Sequence, residues 1–471
     1  MPRPKPAKRS APIGLAALLV VSGYGANNHN DADHNASSSR VSSFLSTNGE
    51  DDPADSAPDE ADGPNALAEA SDQVPQIAEF DPSMAVAYVG GSPEAADDEL
   101  EPVRIGWVVQ DAGPGASPES TSAAEAAVDF INAELGGIRG RPLELEICSA
   151  PSAEETQQCG VEFANNDDIR MIVQGPNFVG GQESLYRSAS STDKAVIIAL
   201  PSSPEEITAQ GPYAFLATGG VPQEALAQLI KSGHLGDIES VTIVHLAIPA
   251  AESIARTYFE EQLSETGIDV QRVPVQATAT APEIQAAVQA AGGGTADIVI
   301  GIVAAPGCIS IPQALDLLQS DALYTGVSAC LAPSVIEALG GIYEGYYATT
   351  VSNYLIPDDE SGTRIYLGAM QRYGTPDIRV DYLSGNAFAA IMNAARFLNE
   401  VGPDDMNEDS FRAAAEAFEG PAWMAPGPMT CGEIEGAPAM CGRGADIYGY
   451  IDGEWSSVRS TITGDPYISG E

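Results

Sequence analysis

Residues Arg104–Leu145 read RIGWVVQDAGPGASPESTSAAEAAVDFINAELGGIRGRPLEL, and this stretch decides the fold class. It opens with Ile105–Val109, a short β-branched apolar run typical of a buried strand. After a Gly/Pro loop, apolar residues recur at helical spacing: Ala124, Ala127, Val128, Ile131 and Leu135. Two glycines, Gly136 and Gly137, end this helix, and a second apolar run follows at Leu143–Ile147. Strand, helix and strand within about forty residues predict a βαβ unit with parallel strands.

The same alternation continues along the chain in two successive runs, at 102–220 and 221–349. Helical patterns follow at Gly362–Tyr373, Gly385–Val401 and Ser410–Phe418, and a last β segment with a turn at Asp452-Gly453 precedes Trp455. Two runs of alternating strands and helices predict an α/β protein with two doubly wound parallel-sheet lobes.

The charge balance excludes some classes of function. The chain of 471 residues carries 67 acidic and 21 basic residues, which gives a formal net charge of −46. A nucleic-acid binder needs clustered Lys and Arg, and an anionic lipid surface would repel this chain. Two explanations of the acidity stay open: a saline or calcium-rich environment, and an acidic linker that inflates the sum.

The first hundred residues divide into two expected segments. Residues 1–26 have a basic start and an apolar run at Ile13–Val21, which predicts an export signal with cleavage near Gly25 or Ala26. The run resembles a bacterial lipoprotein signal, but Tyr24 stands where the lipid-bearing Cys would be, so lipid anchoring is in doubt. Residues 27–101 are acidic and poor in apolar side chains, which predicts a disordered linker, with a short strand at Ala85–Val89 as the alternative.

The sequence AVDFINAELGGIRGRPLEL, Ala127–Leu145, resembles the N-terminal region of the type I periplasmic solute-binding proteins, the leucine/isoleucine/valine-binding family. The resemblance extends from about Val103 to the C-terminus. It implies that the late helices join the first lobe, so that lobe 1 comprises 102–220 plus 350–425 and lobe 2 comprises 221–349 plus 426–471. It also implies a three-strand hinge, with crossovers near Gly219-Gly220, Thr349-Thr350 and Met424–Pro428.

The ligand site is expected between the lobes, because ligands bind beyond the carboxyl ends of parallel strands. On the first lobe, Ser202 and Ser203 begin a helix with Pro204 and Glu206 in a capping-box pattern, where free N–H groups favour a ligand carboxylate. Ser203 capping only its own helix is the alternative. In the loop 175–181, Asn177 and Phe178 are candidate contacts, and an ordinary turn is the alternative for Asn177.

On the second lobe, the resemblance places ligand contacts at Ala250, Ala305 and Ser328. Leucine-binding members use a Tyr, a second aromatic residue and a carboxylate at these places, and here all three side chains are small or neutral. A ligand ammonium in a closed cleft would lack a compensating charge. The sequence therefore favours a different ligand, and Glu252 remains the alternative partner for an ammonium.

Six cysteines in an exported chain suggest disulfides. Their positions favour three local pairs: Cys148 with Cys159, Cys308 with Cys330, and Cys431 with Cys441. A zinc site is the rival interpretation, but no spacing is C-x₂-C and no His lies near a pair.

Nothing in the sequence points to catalysis. Of His29, His34, His234 and His245, only His245 ends a strand on the cleft side, and a lone His there favours a structural or ligand-contact role. Nucleophile-elbow, P-loop and dinucleotide motifs are absent from the sequence. We therefore predict a monomeric, exported solute-binding protein that serves an ABC permease, with no catalytic residue, cofactor, metal or nucleic-acid partner. A ligand-sensing module for a receptor and, less favoured, an α/β enzyme are the alternatives.

Overall fold

The computed structural model describes residue 77 and residues 79–113, 116–201, 203–216, 221–357, 362–375, 380–442 and 444–458. All of them belong to one compact unit that spans residues 63–471. The expected export signal and most of the expected linker lie outside the described residues.

The first part of the chain forms a four-stranded parallel sheet in the order β2-β1-β3-β4. Its elements are α1 (Ser83–Val89), β1 (Val103–Val109), α2 (Pro118–Glu134), β2 (Leu143–Ser149), α3 (Ala153–Asn165), β3 (Ile169–Gln174), α4 (Gln182–Ser191), β4 (Ala195–Ile198) and α5 (Pro204–Ile207). The predicted βαβ unit is confirmed, since β1 and β2 pair in parallel from Val103 and Leu143 onward.

The second part repeats the design, with the strand order β6-β5-β7-β8, again all parallel. Its elements are α6 (Val221–Lys231), β5 (Ser240–Leu246), α7 (Pro249–Ile254), a π-helical segment (Ala255–Glu260), α8 (Glu261–Ser264), β6 (Asp269–Val275), α9 (Ala281–Ala290), β7 (Ile298–Ile302), α10 (Ala305–Leu318), β8 (Leu323–Gly326), a 3₁₀ turn (Ser328–Leu331) and α11 (Pro333–Leu339).

The chain then crosses between the sheets and ends in an antiparallel sheet with the order β11-β10-β9. The remaining elements are β9 (Tyr346–Thr350), α12 (Thr363–Tyr373), α13 (Tyr382–Val401), α14 (Glu408–Glu416), β10 (Asp446–Ile451) and β11 (Glu454–Ser457). The predicted turn at Asp452-Gly453 is confirmed: both residues have positive φ, 54° and 79°, as a two-residue hairpin loop requires.

The central strands of the two parallel sheets are buried on both faces, which explains their apolar composition. On one side of the first sheet, Ile105 and Trp107 pack with Phe130 of α2 and Phe388 of α13. The Phe130 and Phe388 rings lie 6.3 Å apart. The late helix α13 therefore covers the first sheet, in the arrangement that the family resemblance implies.

The segment 79–101 differs from the expected disordered linker and from the alternative strand. Ser83–Val89 is a helix, with Ala85 and Val89 buried in the first core. The Phe80 ring lies 5.8 Å from that of Phe130, and Arg396 Nη1 donates to the Tyr88 carbonyl at 2.9 Å. The segment is acidic overall, but one face of its short helix is apolar and packs against α13.

Residues 428–441 also differ from expectation, because they pack on the first sheet and not on the second. Met429, Cys431 and Cys441 belong to the core around Phe130, and Cys441 N donates to Ala214 O at 2.9 Å. Ile447 and Val458, in contrast, lie in the core of the second sheet. The third crossover therefore comes after Cys441. The first expected crossover, Gly219-Gly220, lies outside the described residues.

Two elements join the sheets and helices irregularly. Tyr213 and Ala214 form single bridges, Ile197 to Tyr213 and Ala214 to Met440. Helix α10 begins at Ala305, because Pro306 in its first turn favours helix initiation, and Pro312 is accommodated within it.

Candidate functional site

After β9 the chain crosses from the second sheet to the elements that cover the first. Thr325 Oγ1 of β8 donates to Tyr347 O of β9 at 2.5 Å. The chain then reaches the amino-terminal end of α13, where Ser352 Oγ donates to Asn386 Oδ1 at 2.7 Å. Ligands bind beyond the carboxyl ends of parallel strands, so the loops that follow the strands of the two sheets are the candidate site.

In the first-lobe loop after β3, Asn177 supports the loop instead of presenting its amide. Its side chain is fully buried, and its Nδ2 donates to Thr156 Oγ1 at 2.9 Å. Its Oδ1 accepts from Val179 N at 3.1 Å, and its carbonyl accepts from Gln182 Nε2 at 2.9 Å. The next side chain, Phe178, is 52% exposed. Of the two predicted contacts in this loop, only Phe178 is accessible to a ligand.

The backbone of the loop that carries Phe178 is closely packed against the first lobe. Gly175 lies against the Trp107 ring, and a Cβ added there would come within 2.6 Å of it. The Phe178 N–H donates to Gln110 Oε1 at 3.0 Å, and Gln110 is fully buried. The aromatic side chain is thus presented from a rigid loop.

The loop after β4 forms the predicted capping box. Ser203 N donates to Glu206 Oε2 at 2.8 Å, and Glu206 N donates to Ser203 Oγ at 3.3 Å. The capping role of Ser203 is therefore present in the structure, and its side chain remains half-exposed. Ser202 lies outside the described residues.

A buried polar chain continues from Glu206 into the lobe. Gln174 Nε2, at the end of β3, donates to Glu206 Oε1 at 2.6 Å, and the Tyr186 hydroxyl donates to Gln174 Oε1. Burial, with the nearby Glu206 carboxylate, raises the pKa of Tyr186 well above its usual value. Sequence reasoning missed Gln174 and Tyr186. The signal was the polar Gln174 at the end of the apolar run Met171–Val173.

The second-lobe loops carry mainly small and apolar side chains. Ala305 is half-exposed in the first turn of α10, and Ser328 is half-exposed at the start of the 3₁₀ turn. Ala250 belongs to the first turn of α7, and its side chain is outside the described ones. Just before it, Ile248 is the N-cap of α7 and is 45% exposed. The predicted positions thus come together at the ends of β5, β7 and β8, with Ile248 as an additional one.

The cysteines lie in the three predicted pairs. The sulfur–sulfur distances are 1.96 Å for Cys148–Cys159, 2.09 Å for Cys308–Cys330 and 1.95 Å for Cys431–Cys441. The second pair joins the start of α10 to the 3₁₀ turn, so it connects the loops that hold Ala305 and Ser328.

A cavity of about 540 Å³ lies on one face of the second sheet, between β6 and the helical segment that follows β5. His245 lines it and is only 2% exposed, with Nδ1 2.9 Å from Leu246 O. Its other polar walls include Glu252 and the ion pair of Arg272 Nε with Glu260 Oε2 at 2.7 Å. His245 therefore lines this cavity, as does Ala247 just after β5.

Within the described ranges, no three His, Cys, Asp or Glu side chains converge in a metal-binding arrangement. A search of the same part of the chain finds no helix with the length and apolar character needed to span a membrane.

Two parallel-sheet lobes joined by crossing segments, with accessible side chains on the loops after their strands, have the architecture of a bilobal ligand-binding protein. The chain belongs to the periplasmic binding protein family, whose model matches residues 102–446. The members of this family are solute-binding proteins, and membership implies a location outside the cytoplasm. The fold is the type I fold that the sequence predicted.

Solved structures with this fold have varied ligands in their descriptions. A leucine-binding protein from Thermotoga maritima is 13% identical, with 75% of this chain and 97% of that chain covered and a TM-score of 0.57. A solute-binding protein from R. palustris in complex with 4-hydroxybenzoate is 14% identical, covers 75% and 95%, and has a TM-score of 0.61. A fatty acid transporter substrate-binding protein from Thermomonospora curvata is 14% identical, covers 81% and 96%, and has a TM-score of 0.58. No curated protein sequence matches this chain.

Proposed function

We propose that this protein captures a small solute in the cleft between its two lobes and delivers it to an ABC importer. The observation that carries the proposal is the arrangement of the cleft loops. Phe178 and Ile248 are exposed at the carboxyl ends of central strands, while Asn177 and Glu206 beneath the first-lobe loops are fully buried. A rigid support under accessible side chains is what a preorganised binding site requires.

The proposed ligand contacts are Phe178, Ser202, Ser203, Ala250, Ala305 and Ser328, with Ile248 added from the structure. Asn177 is reassigned to support of its loop, because Thr156 and Val179 already occupy its amide. The ligand classes to be considered are amino-acid-like molecules, amides and short organic acids, and the 4-hydroxybenzoate of the R. palustris protein extends this range to ring compounds.

The proposal includes hinge closure. Lobe 1 comprises 102–220, 350–425 and, from the packing of Cys441, the residues up to about that cysteine; lobe 2 comprises 221–349 and the final strands. The chain acts as a monomer without catalysis, and the permease recognises its closed form. Tethering by the acidic segment before residue 79 is part of the same proposal.

Binding is tested by a thermal-shift screen of the full chain against amino acids, amides, short acids and ring compounds, with small-angle scattering for each compound that raises Tm. We expect at least one compound to raise Tm and to reduce the radius of gyration. Delivery is then tested by uptake of that compound in cells with and without the protein. Consumption of the compound by the purified protein would contradict the proposal, and binding without any uptake defect would favour the sensory alternative.

A further inference from the structure

The loops that follow three neighbouring strands of the second lobe carry exposed and half-exposed apolar residues, which we call the second-lobe lip. The lip comprises four exposed residues, Ala247, Ile248, Ala304 and Ala329, and two half-exposed ones, Ala305 and Val327. Contiguous exposed apolar surface in a soluble protein marks a binding site more often than isolated apolar residues do.

The first lobe contributes one large apolar side chain to the same cleft. Phe178 is 52% exposed, and its backbone N–H is held by Gln110 Oε1 at 3.0 Å. The buried Asn177 side chain and the bond to Gln110 hold the backbone on which this exposed ring stands. The ring is therefore available to a ligand, or to the opposite lip, when the lobes close.

We propose that the ligand is an uncharged organic molecule whose apolar body is held between Phe178 and the second-lobe lip. This inference rests on the proposed function and narrows its ligand class. The apolar side chains of Phe178 and the second-lobe lip compensate neither an ammonium nor a carboxylate, and the net charge of −46 opposes an anion at the helix start beside Ser203. The half-exposed Ser328 hydroxyl, next to the lip, suits one small hydrogen-bonding group on the ligand.

The main rival occupant is the protein itself. If Phe178 packs directly on Ile248 in an empty closed state, both side chains are buried without a ligand. In that case the substitutions Phe178→Ala and Ile248→Ala would open the empty protein and change its radius of gyration. They would not discriminate among ligands.

The test compares three probes that share one phenol ring: p-cresol, which is uncharged near neutral pH, 4-hydroxyphenylacetate, which is anionic, and L-tyrosine, which is zwitterionic. Each is titrated calorimetrically into the full chain. We expect p-cresol to bind most tightly. Phe178→Ala and Ile248→Ala are each expected to weaken it about tenfold, since each removes a partly exposed side chain that the ligand covers.

Matched controls are Leu317→Ala on α10 and Val161→Ala on α3, which are 68% and 52% exposed and lie outside the cleft loops. Both are expected to leave p-cresol binding unchanged. All four side chains are exposed or half-exposed, so the variants are expected to fold, and a melting curve for each verifies it.

Tighter binding of 4-hydroxyphenylacetate or L-tyrosine than of p-cresol overturns the inference and leaves the proposed function standing. Binding of p-cresol that is equal in the wild type and in Phe178→Ala also overturns it. If none of the three probes binds, the inference again falls, and the broader ligand screen decides the proposed function separately.

Discussion

Glu206 shows how one buried carboxylate fixes a cleft loop. It is fully buried and accepts from Gln174 Nε2 at 2.6 Å and from Ser203 N at 2.8 Å. We expect Glu206→Ala to lower the free energy of unfolding by about 1–3 kcal/mol for each donor left without an acceptor, measured by urea denaturation. Glu205→Ala is the matched control, because Glu205 is exposed in the same short helix and should change stability by less than about 0.5 kcal/mol. Equal effects of the two substitutions would contradict this role.

Tyr213 gives the protein a pH-dependent contact at alkaline pH. Burial, and then the hydrogen bond that its hydroxyl donates to Glu416 Oε1 at 2.9 Å, raise the pKa of Tyr213 from 10.0 to about 12. The unfolded phenol loses its proton first, so the contribution is complete below pH 10.0 and is lost as the pH rises toward about 12. We expect Tyr213→Phe to lower stability below pH 10.0 and to make its decline above that pH shallower, measured by urea unfolding. An unchanged slope would show that Tyr213 does not titrate differently in the folded state.

The residue scale is also where sequence reasoning about the site reached its limit. The sequence identified the loop 175–181 and the capping box of Ser203, because both depend on local spacing. Which side chain of Asn177-Phe178 points inward depends on Thr156, which is distant in sequence and supplies the buried partner of Asn177. Local patterns do not contain that information, so Asn177 and Phe178 were both predicted as ligand contacts, and only the aromatic ring is accessible.

At the scale of elements, helix α1 is an N-terminal brace that lies before the span matched by the family model. The Tyr88 hydroxyl donates to Asn393 Oδ1 of α13 and accepts from Trp423 N at 3.1 Å. Its ring lies 5.2 Å from that of Trp423. The brace therefore connects α13 to the segment that carries Met424, a non-glycine residue with a φ of 59°.

We expect Tyr88→Phe to lower the free energy of unfolding by about 1–3 kcal/mol, because the Asn393 oxygen and the Trp423 N–H lose a shared partner in a buried setting. Chemical denaturation followed by tryptophan fluorescence measures the change. Tyr258→Phe is the control, since Tyr258 is half-buried and its hydroxyl takes part in no hydrogen bond among the described residues. A loss no larger than that of the control would mean that α1 packs without bracing the segment.

Elements with strong periodicity were predictable, and those whose packing depends on a distant partner were not. The strand–helix–strand unit at Arg104–Leu145 and the hairpin turn at Asp452-Gly453 follow from local pattern and turn chemistry. Helix α1 and residues 428–441 are short, and each is stabilised by contacts with residues far away in sequence, such as Arg396 and Ala214. Composition therefore assigned the first to a linker, and the family resemblance placed the second with lobe 2, although its cysteines pack in the first core.

At the scale of the whole molecule, the excess of acidic residues sets the electrostatics of folding. The ion pairs among the described residues are largely exposed, for example Arg104 with Glu144 at 3.0 Å and Arg187 with Glu183 at 2.6 Å. Exposed pairs of this kind contribute about 0–1 kcal/mol each. A net charge of −46 leaves most carboxylates without a basic partner, so repulsion in the compact state outweighs these pairs.

Salt is therefore expected to stabilise the protein. Raising the ionic strength from about 0.01 M to about 1 M shortens the Debye length from about 30 Å to about 3 Å, which screens repulsion across the surface. For a protein of this size, each ~1 kcal/mol of relieved repulsion raises Tm by about 1 °C, measured by calorimetry in NaCl. CaCl₂ at matched ionic strength separates general screening from specific binding, because a site for calcium would raise Tm well before NaCl does. A Tm that falls with NaCl would instead mean that the exposed ion pairs outweigh the repulsion.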